Sequence, residues 1–320
     1  GFVDIRLSQK EPSNLSGIPH LIENEMGETV VRWSPPDQLP RNKDASCIVF
    51  LDEMNSAVPT VQAAAYQLIL DRKLGDYELP ENCVVIAAGN RTTDKGTTFK
   101  MAKPLENRFV HLNMTEDYDD WVQWAIENRV DPYIIGYIYK NKQDLMKFDP
   151  SSGESAYATP RSWNYVNRIL SSTYQVKGSE KDFYEIYRSA ICGAVGSEVG
   201  NKFIEFHKNA SKMPAASDIL EQKVTKLDGS LGKQHHYTII LNLCYEFKKY
   251  YESYSKNQMT QKDYDHYSNI LLGFVMDNFD AEFSVIGFRT LMHSFEVLIN
   301  SNVPNWERFI DEYFDLIFNN

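Results

Sequence analysis

Two adjacent carboxylates, Asp52 and Glu53, end the apolar run Cys47-Ile48-Val49-Phe50-Leu51. A run this short, stopping abruptly in acids, predicts a strand buried on both faces of a parallel sheet that delivers its acids to the carboxyl edge. Open α/β sheets bind ligands at that edge. Two acids there suit phosphoryl chemistry, because one can hold a hydrated Mg²⁺ while the next orients an attacking water. The alternative is a pair of solvated loop acids, and the next forty residues of the chain separate the two. Asn55 to Arg72 carries a helical stripe at Val61, Ala64, Ala65, Leu68 and Ile69, with Pro59 near its first turn. Lys73 to Pro80 breaks that pattern and predicts a hairpin turned at Gly75-Asp76. A second apolar run, Val84 to Ala88, ends at Gly89-Asn90. Strand, helix and strand with polar tips predict a right-handed crossover in which Asp52, Glu53 and Asn90 converge.

These residues resemble a known family. Phe50-Leu51-Asp52-Glu53 resembles the Walker B motif of AAA+ ATPases, Ala87-Ala88-Gly89-Asn90 their sensor 1, and Leu105-Glu106-Asn107-Arg108-Phe109 their arginine-finger segment. Ala158-Thr159-Pro160-Arg161-Ser162-Trp163 resembles sensor 2, and the stretch from Leu51 to Pro80 is similar to the MoxR-like members. The motifs stand in family order over more than a hundred residues. The resemblance implies Mg²⁺-dependent ATP hydrolysis at the seams of a homo-oligomeric ring, a hexamer, that remodels a protein partner in the manner of a chaperone. Asp52 would hold the metal, Glu53 would polarise the attacking water and Asn90 would orient it. Arg108 would reach the γ-phosphate of the neighbouring subunit, and Arg161 would contact the same phosphate in cis or in trans. A protein with a von Willebrand A domain is a frequent companion of the family.

One departure from the pattern stands out. The phosphate-binding loop G-x-x-x-x-G-K-S/T occurs nowhere in the 320 residues. Phe2 to Leu7 alternates like a strand already under way, so the expectation is a fragment whose loop lies upstream; the rival is a degenerate module that has lost it. The class-level alternatives are a non-hydrolysing structural or interaction protein and a DNA motor or helicase. Retention of both Asp52 and Glu53 weighs against the first.

Composition bounds the rest. At 42% apolar, 320 residues can bury a large core and divide into domains. The net charge of −11 argues against sequence-independent binding of nucleic acid, which relies on Lys and Arg to neutralise phosphates. No long apolar stretch or leader pattern is present, so no membrane association is expected. Cys47, Cys83, Cys192 and Cys244 match no metal or redox spacing and read as reduced core thiols of a cytoplasmic protein.

The expected architecture is an α/β AAA+ module, a parallel sheet flanked by helices with β-hairpin insertions, followed by an all-α lid and C-terminal helices. Its divisions are 1-115 for the nucleotide-binding part, 116-225 for the lid with sensor 2, and 226-320 for the helical extension. Two alternating runs around Glu23 to Gly27 predict a second hairpin, which the family resemblance would turn toward a central pore and which could equally only cap the sheet. Thr115 is the expected N-cap of the first lid helix. A helix from Pro160 would bury Trp163, Val166, Ile169 and Leu170 and set Arg161 at its N-terminus, where a phosphate could be met. His235-His236 is assigned no function, since neighbours on a helix diverge by about 100° and no third ligand is evident.

Overall fold

The computed structural model describes residues 1–34, 36–90, 98–149, 153–173, 180–210 and 213–318. The chain divides into two units, Gly1–Met114 and Thr115–Asn320.

The first unit is organised by a parallel sheet of three strands, β1 (Phe2–Arg6), β4 (Cys47–Asp52) and β7 (Cys83–Ala87), with β4 in the centre. In register, Arg6 pairs with Asp52 across one seam and Leu51 with Ala87 across the other, so the three strands reach the carboxyl edge together. Between β1 and β4 lie α1 (Pro12–Ser16) and the antiparallel hairpin β2 (Ile18–Glu23) and β3 (Thr29–Ser34). Between β4 and β7 come α2 (Pro59–Asp71) and the short hairpin β5 (Lys73–Leu74) and β6 (Tyr77–Glu78), turned at Gly75-Asp76 as expected. Helix α2 begins at Pro59, whose missing N–H would have no intrahelical partner there, and lays Val61, Ala65 and Leu68 into the core. The two hairpins touch: the Trp33 amide donates to Asp76 Oδ2 at 3.1 Å, and Arg32 lies 3.7 Å from the same carboxylate.

The expectation of a strand buried on both faces fails. Cys47, Val49 and Leu51 of β4 are buried, but Ile48 is 39% exposed, and Phe2, Val84 and Ile86 on the flanking strands are more open still. Among the described residues α2 and the core beneath it cover one face only, and a continuously apolar run cannot tell one covered face from two. What β4 keeps is the crossover and the delivery of its acids to the edge.

Helix α3 (Lys103–Glu106) is the last of the first unit. The second unit is helical: α4 (Tyr118–Glu127), α5 (Pro132–Lys140), α6 (Pro160–Thr173), α7 (Glu180–Val195), α8 (Ser197–Ala210), α9 (Ala216–Leu220), α10 (Lys233–Ser255), α11 (Gln261–Asn278), α12 (Ala281–Arg289) and α13 (Pro304–Phe318). One apolar cluster runs from Trp121 to Ile317, and α5 packs along α10, so helices on either side of residue 226 share a core. Helix α4 is capped by Asp117, not Thr115: its carboxylate accepts from the amides of Asp119 at 2.8 Å and Asp120 at 3.0 Å. A carboxylate adds attraction to the helix dipole that a hydroxyl lacks. His235 stacks on Phe206 and His236 packs edge-on to Phe279 and Phe283; burial pushes both rings below the ordinary histidine range, toward the neutral form. No described helix is long and apolar enough to cross a membrane.

Candidate functional site

Asp52 is the last residue of β4, and Glu53 after it turns into the left-handed region at φ 56°. A β-carbon makes that conformation uncommon outside glycine, so the bend is held by its surroundings. Those surroundings are visible. The Glu53 amide donates to Asp52 Oδ1 at 2.9 Å, and the Glu53 carbonyl accepts from Ser56 at 3.0 Å and Ala57 at 3.2 Å. The turn folds the chain back toward α2 while both carboxylates stay at the edge of the sheet.

Arg6, the last residue of β1, and Ser8 in the turn after it meet them there. Arg6 Nε lies 3.5 Å from Asp52 Oδ2 and 4.0 Å from Glu53 Oε1, and the Ser8 hydroxyl donates to Glu53 Oε2. The ion pairs are half-exposed, so each is worth at most about 1 kcal/mol. Together these contacts turn Glu53 toward the end of β1.

On the other side β7 is tied to β4 beyond the strand ends. Ala88 donates to the Leu51 carbonyl and Met54 to the Ala88 carbonyl, both at 2.9 Å. The Asn55 side chain then clamps the backbone of Asn90: Oδ1 accepts the Asn90 amide at 3.1 Å, and Nδ2 donates to the Asn90 carbonyl. The Asn55 carbonyl accepts from Phe99 at 2.6 Å. Gly89 makes the clamp fit, since a β-carbon there would run into Asn55 Oδ1 and sit 2.9 Å from its Cγ. Asp52, Glu53 and Asn90 are thus brought to one edge.

The remaining expected residues stand elsewhere. Arg108 follows α3, exposed, with its amide on the Leu105 carbonyl at 3.0 Å. Arg161 belongs to the second unit, exposed in the first turn of α6. That turn is closed by Thr159 and Ser162, each side-chain oxygen accepting the other's amide at 3.0 and 2.8 Å, while Trp163 is buried and donates to the Asp144 carbonyl at 2.8 Å. Part of the polar loop expected over Arg91 to Met101, residues 91–97, lies outside the described residues.

Sequence reasoning missed Arg6, Ser8, Asn55 and Gly89 as site residues. Gly89 had a signal, a glycine directly after an apolar strand, which marks a close approach of backbone. Arg6, Ser8 and Asn55 had none, because their partners lie 35 or more positions away and only the register brings them near.

No group of three His, Cys, Asp or Glu among the described residues could hold a metal unaided. Mg²⁺ commonly keeps several waters and takes one or two carboxylates together with substrate phosphates. The lone Asp52 carboxylate, with Glu53 beside it, fits that donor set. A cavity of about 600 Å³ lies wholly within the second unit, beside Tyr133, Asn242 and Tyr245. Its cations have internal partners, Arg129 with Glu252 at 3.1 Å, Lys249 with Glu246 at 2.6 Å and Lys248 on the Phe295 carbonyl. The chain matches no known family model and no curated protein.

Proposed function

We propose that this chain acts as a MoxR-like AAA+ ATPase, hydrolysing ATP with Mg²⁺ at the seams of a ring and using the energy to remodel a protein. The observation that carries the reading is the carboxyl edge of the sheet, where Asp52 and Glu53 end the central strand and Asn90 is clamped beside them through Asn55. Asp52 would hold the metal that comes with the nucleotide, and that metal would neutralise charge on the phosphates. Glu53 accepts a hydrogen bond from the attacking water, and Asn90 orients that water. Arg108 meets the phosphate of the adjoining subunit, where a fixed cation stabilises the developing charge. Arg161 contacts a phosphate from the first turn of its helix.

The test is Glu53→Gln. The amide has nearly the carboxylate's shape but is a poor base, so ATP binding persists while hydrolysis falls by about a hundredfold or more. Unchanged turnover rejects the assignment. A second reading, a non-hydrolysing module of the same fold, is favoured by the absence of a phosphate-binding loop from these 320 residues. It predicts that the wild-type gene product neither binds nor hydrolyses ATP.

A further inference from the structure

Cys47 opens β4 and Cys83 opens β7, and the two are direct partners in the parallel register. Neighbouring strands lie about 4.8 Å apart, inside the separation of about 4.4 to 6.8 Å over which two α-carbons can be bridged by a disulfide. Here the side chains also face each other. Sγ of Cys47 is 3.1 Å from Sγ of Cys83, although the residues are 36 positions apart. Both are free thiols, and the Cys83 sulfur also contacts the Ala45 carbonyl at 3.4 Å. We propose that this pair is a reversible redox site, oxidised by hydrogen peroxide to a disulfide that staples β4 to β7 at the amino edge of the sheet.

Burial orders the roles. Cys47 retains 9% exposure and Cys83 only 1%, so Cys47 meets the oxidant and Cys83 resolves the product. The Cys47 thiolate attacks one peroxide oxygen, the O–O bond breaks, and hydroxide leaves and takes up a proton. Cys47 is then a sulfenic acid. The Cys83 sulfur attacks the Cys47 sulfur, the S–O bond breaks, and the departing hydroxide carries away the Cys83 proton as water. In balance, two thiols and one hydrogen peroxide give one disulfide and two waters. Closing the pair to a bond of about 2.05 Å asks the two sulfurs to approach by roughly 1 Å in total. Side-chain rotation supplies that without breaking the ladder. The staple joins the same two strands whose opposite ends carry Asp52 and lead to Asn90.

The other cysteines have different surroundings. Cys244 is fully buried against the Gly287 carbonyl at 3.4 Å, and Cys192 packs on Gly200, both within the second unit. Cys244 serves as the buried internal control, whereas Cys192 is partly exposed and reports oxidation of a thiol outside the pair.

The experiment treats the reduced, folded protein with millimolar hydrogen peroxide, quenches with catalase, alkylates under denaturing conditions and maps the digest by mass spectrometry. The expected result is a linked peptide pair containing Cys47 and Cys83, two hydrogens lost from that pair, recovery of both thiols with dithiothreitol, and alkylated Cys244 throughout. In Cys83→Ala the sulfenic acid on Cys47 persists and is trapped by dimedone, whereas wild-type protein gives little adduct. The proposal is overturned if both thiols stay alkylatable, if Cys47 goes to sulfinic acid while Cys83 remains free, or if the linked pair forms only after unfolding in urea.

Discussion

Gly89→Ala gives the sharpest test of how the carboxyl edge is built. The new β-carbon would collide with Asn55 Oδ1 and lie 2.9 Å from Asn55 Cγ, so the amide must swing away from Asn90. Two hydrogen bonds are lost when it does, one from the Asn90 amide at 3.1 Å and one to the Asn90 carbonyl. At about 1 kcal/mol each, the substitution destabilises the edge by about 2 kcal/mol. Asn55→Ala removes the same two bonds by a different route and also costs about 2 kcal/mol. Combined, the two do not add. With Asn55 shortened, the alanine methyl at position 89 keeps only an ordinary contact of 3.5 Å with the Asn55 amide nitrogen, so the double variant costs about 2 kcal/mol where additivity would give about 4. Hydrogen exchange read by mass spectrometry on the peptides spanning β4 and β7 measures the opening free energy of this unit without interference from the helical one. A coupling of about 2 kcal/mol is expected. Additive losses would mean that Gly89 and Asn55 act independently, and the clamp would have to be abandoned.

Other substitutions test the proposed chemistry and the packing of the helical unit. If Arg108 acts as proposed, Arg108→Ala lowers hydrolysis by about a thousandfold while each subunit still folds and binds ATP. Mixing it with Glu53→Gln subunits restores partial activity, because some seams then pair an intact Glu53 with an intact neighbouring Arg108; mixed rings that remain inactive exclude action in trans. Burial holds His207 down at about 4 against 6.5 for a free side chain, so the folded state resists a proton that the unfolded chain accepts. Stability is therefore full above about pH 6.5 and is lost as pH falls toward about 4, by about 3 kcal/mol in all. Urea titrations of wild type and His207→Gln across that window check it, the variant losing this part of the acid slope. Gly136→Ala would push a methyl into Thr238 Oγ1 and within 3.0 Å of the Gln234 carbonyl, where α5 and α10 meet. Overpacking of this kind costs about 1–3 kcal/mol, and an unchanged urea midpoint would show that the helices separate freely.

Local pattern determined much of this protein. The strand of Cys47 to Asp52, the stripe of α2, the turn at Gly75-Asp76, and the helix from Pro160 that buries Trp163 are all set by residues a few positions apart, whose spacing matches a backbone period whatever else the chain does. The same spacing put Asp52, Glu53 and Asn90 on one edge, because parallel strands joined by a helix must end together. Tertiary structure alone decided the rest. That Ser8 and Arg6 hold Glu53, that Asn55 clamps Asn90, and that Cys47 faces Cys83 depend on register between segments 35 to 47 residues apart, and a shift of one residue would turn each side chain to the other face. Whether Ile48 and Val84 are covered depends on what packs over them, and an apolar side chain is chemically the same on either kind of face. The cap of α4 passed from Thr115 to Asp117 for a related reason: several residues before a helix can accept its first amides, and the angle at which the chain enters the helix selects among them.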